Sequence, residues 1–134
     1  MILLVNIYDG YICYVPRNLL NYQFLRSNLE ANVLTELPFA DKSFDVSITS
    51  FVAHGLSKNE RQVMYDEMIR ITKHLVIIYD YNEHRGLITD LAEWLEGGDY
   101  FNFIKTIKNE LNDKFEDLTI INANIRSALY IAKL

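Results

Sequence analysis

Two β-favouring runs frame the middle of the chain, Val46 to Phe51 (Val-Ser-Ile-Thr-Ser-Phe) and His74 to Tyr81 (His-Leu-Val-Ile-Ile-Tyr-Asp-Tyr). Their apolar positions are nearly continuous rather than strictly alternating, the pattern of strands covered on both faces. Between them, Ser57 followed by Glu60 makes a capping-box start for a helix. Val63, Met64, Met68, Ile69 and Ile71 then form an approximate helical stripe to about Thr72. Strand, helix and strand in this order predict a βαβ unit with a right-handed crossover. The expected class is α/β, with a mostly parallel sheet flanked by helices.

Polar and glycine punctuation marks off the remaining elements. Residues 85–96 predict a helix ending at Gly97-Gly98, and residues 100–115 a second, with Phe101, Ile104, Ile107, Leu111 and Phe115 at helical spacing. Leu118 to Ile121 and Ala128 to Ala132 predict an antiparallel closing pair of strands. At the other end, Ile2 to Tyr8 and Tyr11 to Val15 flank Asp9-Gly10, which favours a hairpin with a tight turn. The alternative is a parallel strand ending at Asp9. Pro16 then opens a helix carrying Leu19, Leu20, Tyr22, Phe24 and Leu25 through about Ser27, and a short strand follows at residues 31–34. With no linker or repeat, residues 1–134 read as one domain.

Composition narrows the classes. Half of the 134 residues are hydrophobic and 23% are charged, which excludes a disordered chain. A net charge of −5 argues against a general grip on nucleic-acid phosphates. Cys13 is the lone cysteine and has no internal disulfide partner, so a cytoplasmic location is expected. The apolar start is too short for a membrane span and lacks a basic n-region. No Ser-His-Asp order, Cys-His pair or P-loop supports hydrolysis or nucleotide-triphosphate chemistry. Asp80, Glu83 and His84 lie on a strand and loop, where their spacing does not form a metal site, so no metal is expected. Trp94 and the tyrosines are expected in the core or at its rim.

The run Glu36-Leu37-Pro38-Phe39-Ala40-Asp41-Lys42-Ser43-Phe44-Asp45 before the first buried strand, with His54 after it, resembles the signature of class I S-adenosylmethionine-dependent methyltransferases. Glu67 and Arg70 in the following helix, the strand Leu75 to Asp80 and the closing antiparallel pair are similar to the same family. The resemblance spans roughly residues 31–134 and implies a Rossmann-like fold, shortened at its N-terminus, with residues 1–30 atypical. The family's Gly-x-Gly cofactor loop has no counterpart: Gly10 stands alone, and Gly97-Gly98 come far too late. Either the first strand and loop are missing, or Ile2 to Gly10 is an eroded version of them.

The resemblance implies S-adenosylmethionine as cofactor and an unidentified methyl acceptor. Asp9 would take the ribose hydroxyls unless it simply opens the Asp-Gly turn. Asn32 or Val33 would lie beside the adenine. Ser50, Phe51 and Val52 would line the cofactor pocket, with Phe51 as a core residue being the plainer reading. His54 would orient a substrate or act as a base, or else cap a turn before Gly55. Asp45 is expected to fix the loop to the strand. Methyl transfer asks little acid–base chemistry of a protein, because the sulfonium methyl is already activated. The alternative function is a non-catalytic methyltransferase-like domain that self-associates through an exposed strand edge or an apolar helix face. A fragment that folds without any function is the third reading.

Overall fold

A computed structural model describes residues 36–134 (for Glu96, the backbone alone), Leu34, and the backbone of three earlier strands. Those strands are β1 (Ile2–Asn6), β2 (Tyr11–Val15) and β3 (Leu25–Ser27). There follow β4 (Phe44–Ser50), a 3-10 turn (Ala53–Gly55), α1 (Lys58–Ile71), β5 (Thr72–Tyr81), α2 (Leu87–Glu96), α3 (Tyr100–Lys114), β6 (Asp117–Asn122) and β7 (Ser127–Lys133). Their strands form one seven-stranded sheet in the order β3-β2-β1-β4-β5-β7-β6. Among the described residues, no helix is long and apolar enough to cross a membrane.

The α/β class is as expected, but the sheet is mixed rather than mostly parallel. Only β1/β4 and β4/β5 run parallel, while β1/β2, β2/β3, β5/β7 and β6/β7 are antiparallel. For the hairpins β1/β2 and β6/β7 the reason lies in chain economy. A parallel neighbour needs a long crossover, whereas antiparallel strands close over a few residues. Here α1 supplies the crossover between β4 and β5.

The N-terminal pairing is the expected hairpin, and its first strand also lies parallel to β4. The pairing runs from Ile2 with Val15 to Asn6 with Tyr11. Asp9 and Gly10 themselves lie outside the described residues. The helix expected through Ser27 is corrected at its end: Leu25, Arg26 and Ser27 form a strand against β2. The edge of a short hairpin offers unpaired backbone groups, and pairing them outweighs a weak helical period. The strand expected at 31–34 also lies outside the described residues, except for Leu34, which is in a turn.

One face of the sheet holds the core. Val76, Ile78, Ala128, Tyr130 and Ala132 are buried with Met64 and Met68 of α1 and Phe103, Ile107 and Leu111 of α3. The strand register explains the grouping, since Val76 pairs with Ala132 and Ile78 with Tyr130, so all point the same way. The capping box at Ser57 forms as its sequence implies: Ser57 Oγ accepts from the Glu60 amide and Glu60 Oε2 accepts from the Ser57 amide. Arg61 ties α1 to α3. It is 1% exposed and donates to both oxygens of Glu110 at 2.8 Å and to Asp99 Oδ2 at 2.9 Å. Burial alone would raise the Glu110 carboxyl, but the Arg61 hydrogen bonds hold it below the ordinary carboxylate value.

Candidate functional site

The two ends of the central strands are built differently. At the amino end, the loop of residues 36–43 is held by two side chains from the end of α1. Arg70 donates to the carbonyls of Leu37 (3.1 Å) and Phe39 (2.7 Å) and to Asp41 Oδ1 (2.8 Å). Glu67 accepts from the Leu37 amide at 2.6 Å and pairs with Arg70. Hydrogen bonds from Arg70, against some desolvation, hold the Glu67 carboxyl below its ordinary value. Lys42 has a positive φ of 54°, and its Nζ donates to the carbonyls of Ile69 and Thr72. These bonds satisfy the carbonyls of Ile69, in the last turn of α1, and of Thr72, which follows it. Asp45 lies 3.6 Å from Lys73, across the β4/β5 pair.

At the carboxyl end, β4 stops abruptly. Phe51 has φ of 51°, a left-handed conformation that costs a bulky residue about 1–2 kcal/mol. Its amide donates to the Tyr79 carbonyl at 2.8 Å, which holds the bend against β5. The chain then enters the 3-10 turn, whose free amides meet Asp80 at the end of β5. Asp80 Oδ2 accepts from the amides of Ala53 (2.9 Å) and His54 (3.4 Å), and Oδ1 accepts from the Tyr81 amide (2.8 Å). Gly98 backs onto this turn so closely that a Cβ there would lie 3.1 Å from Gly55 Cα. The Gly97-Gly98 pair therefore does two jobs: Gly97, at φ 73°, ends α2, and Gly98 permits the close approach.

His54 is 3% exposed. Its Nδ1 lies 2.8 Å from Asp80 Oδ1, and its Nε2 lies 3.5 Å from Glu93 Oε2 on α2. Both ring nitrogens thus face carboxylates, and the side chain joins β5, the 3-10 turn and α2. Around it stand aromatic rings in edge-to-face contact: Phe51 with Tyr79 (4.8 Å) and Tyr81 (5.2 Å), His54 with Tyr81 (4.8 Å), and Tyr81 with Tyr100 (5.1 Å). Burial, followed by the charge of Glu93, pushes the Tyr81 phenol up. Burial and a hydrogen bond to Asp90 push Tyr100 up to about 12. Both phenols are neutral donors near neutral pH.

The expected site residues separate clearly. Ser50, Phe51, Val52 and His54 come together at the carboxyl end, where open α/β sheets bind ligands. Ser50 and Phe51 are half-buried, and Val52 is buried. Asp9, Asn32 and Val33 lie outside the described residues. Asp80, Glu83 and His84 turn to separate partners: His54 and the turn amides, Lys108, and Asn82. Sequence reasoning did not find Glu93, nor the pairing of Asp80 with His54. Asp80 ends an apolar strand, and a carboxylate buried there signals a specific partner, but nothing local says which.

Comparison with protein families gives a match to the model described as "Methyltransferase domain" over residues 11–79. The match begins further upstream than residue 31 and ends within β5. No curated protein matches the chain. Just over half of the 134 residues are covered, and both the loop clamped by Arg70 and the turn at Phe51 fall within the match: the chain belongs to the methyltransferase-domain family.

Proposed function

We propose that this chain is a methyltransferase that holds S-adenosylmethionine beyond the carboxyl ends of β4 and β5 and passes its methyl group to a nucleophilic acceptor. The observation that carries this reading is the strained turn at Phe51. A left-handed phenylalanine persists only where its surroundings enforce it, and such strain gathers at functional sites. This one places an aromatic ring at the binding edge, beside Tyr79 and Tyr81.

The chemistry of these groups fits the cofactor. Aromatic faces attract a cation, and Asp80 and Glu93 add negative charge behind the rings. The flat face of adenine also packs well on such a surface. When bound, the cofactor supplies a methyl group already activated on sulfur. The protein's share of the work is to position and to exclude water. Ser50, Phe51 and Val52 line the cofactor. Asp9 is assigned to the ribose hydroxyls and Asn32 or Val33 to the adenine, as the family pattern implies. His54, clamped at both nitrogens, acts as a positioning residue that holds the 3-10 turn against α2.

A thermal-unfolding titration with S-adenosylmethionine and S-adenosylhomocysteine tests the reading. Ligand at 100 times its dissociation constant adds about 2.7 kcal/mol to stability. A saturable upward shift in Tm is expected with both compounds. No shift at millimolar concentration would overturn the proposal.

A further inference from the structure

Helix α2 is folded inside out. Its buried side chain is an acid, Glu93, at 6% exposure, whereas Leu87, Ile88, Leu91, Trp94 and Leu95 are between 59% and 90% exposed. At 100° per residue these five fall within an arc of roughly 120°. Thr89, Asp90 and Glu93 occupy the opposite side and make the contacts to the body: Thr89 with Arg126, Asp90 with the Tyr100 hydroxyl, and Glu93 with His54. A surface helix ordinarily does the reverse. Ile125, at the tip of the β6–β7 turn and next to Arg126, is 82% exposed as well.

We infer that α2 is the dimer interface of this protein, pairing antiparallel with α2 of a second copy about a twofold axis near Leu91. Size supports a partner of this kind. The exposed apolar side chains amount to on the order of 800 Å², which is the area each partner contributes to a standard stable interface and exceeds what a monomer leaves bare. Charge selects the antiparallel arrangement. Arg126 lies at the amino end of the helix, where Arg85 is paired with Asp90, and the last turn has no basic residue. A twofold axis sets each Arg126 towards the carboxyl end of the other copy's helix and opposes the two helix dipoles. The stripe is self-complementary in that arrangement, as an isologous contact requires. Pairing also braces the helix whose Glu93 meets His54, so the interface and the candidate site share one element.

Trp94 is the only tryptophan, so its emission reads the interface directly. Sedimentation velocity on the full chain across the micromolar range is expected to show a dimer, with Trp94 emission shifting to the blue as the dimer forms. Leu91→Glu sets two carboxylates against each other at the axis. The substitution is at an exposed position, so the fold should remain, as a circular dichroism spectrum checks, and dimerisation should weaken by about 100-fold or more. A monomer at every concentration overturns the inference, whether its Trp94 is exposed or is already blue-shifted under another part of the chain. A dimer indifferent to Leu91→Glu overturns it too. So does a blue shift that appears only on adding phosphatidylcholine vesicles, which would mark α2 as a lipid-contacting helix.

Discussion

The amino and carboxyl ends of β4 and β5 divide the labour of the molecule. At the amino end, cationic side chains tie a loop to α1: Arg70 donates to the loop carbonyls of Leu37 and Phe39, and Lys42 of the loop donates to the carbonyls of Ile69 and Thr72. At the carboxyl end, carboxylates receive backbone amides, a residue is held in a strained conformation, and aromatic rings gather. The first arrangement closes the fold, with Lys42 held at positive φ by its loop. The second stores strain beside an anionic, aromatic surface. The residues that make the family recognisable in sequence, Leu37 to Asp45, sit at the end that holds the fold together. Ligand chemistry is assigned to the other end, where the sequence is plain.

Mutations at the two ends should therefore behave differently. The largest effect is expected from Asp80→Ala, which leaves His54 Nδ1 and the amides of Ala53 and Tyr81 without their buried acceptor. Loss of such a partner costs about 3–5 kcal/mol. Urea unfolding should show that loss, together with the disappearance of any Tm shift caused by S-adenosylhomocysteine. Arg70→Ala comes next, at about 2–3 kcal/mol for the loss of charge-assisted bonds, with the ligand-induced shift in Tm retained. A ligand response lost in Arg70→Ala but kept in Asp80→Ala would break the division between the ends.

Smaller changes sharpen the comparison. Phe51→Leu removes the ring but keeps a bulky side chain, and loss of a cation–π contact of about 1 kcal/mol should raise the dissociation constant of S-adenosylmethionine several-fold. S-adenosylhomocysteine, a neutral thioether, should be affected less, and isothermal titration calorimetry separates the two. The smallest effect concerns pH. The folded carboxyl of Glu67 is held below its ordinary value of 4.5, so its contribution is complete above that value. It is lost as the pH falls through the lowered folded value, because the unfolded state takes up the proton first. The urea midpoint should fall with acid less steeply in Glu67→Gln than in the wild type, while the carboxyl-end variant Phe51→Leu should keep the wild-type slope.

Much of the fold was legible because its signals are local. Ser57 and Glu60 are three residues apart and form the cap they predict. The apolar runs at 46–51 and 74–81 fall within or next to β4 and β5. The direction of the sheet was less legible, since an apolar run does not tell a strand which way its neighbour points. Leu25 to Ser27 became a strand because β2 offered an edge, a fact written elsewhere in the chain. The site was half legible. Ser50, Phe51, Val52 and His54 follow β4 and so fall at its carboxyl end by position alone. The Asp80–His54 pair spans 26 residues, and only the folded chain brings it together. Periodicity marks residues 87–96 as an amphipathic helix, but it does not say which side faces the body. In α2 the acid side does, and that inversion places Glu93 against His54.

The most direct test is an amide chemical-shift titration of the isotopically labelled chain with S-adenosylhomocysteine. Binding at the carboxyl end predicts saturable shifts at Ser50 to His54 and Tyr79 to Tyr81, with the amides of Leu37 to Lys42 unmoved. Shifts confined to Leu37 to Lys42, or none at millimolar ligand, would contradict the assignment of the carboxyl end as the cofactor site.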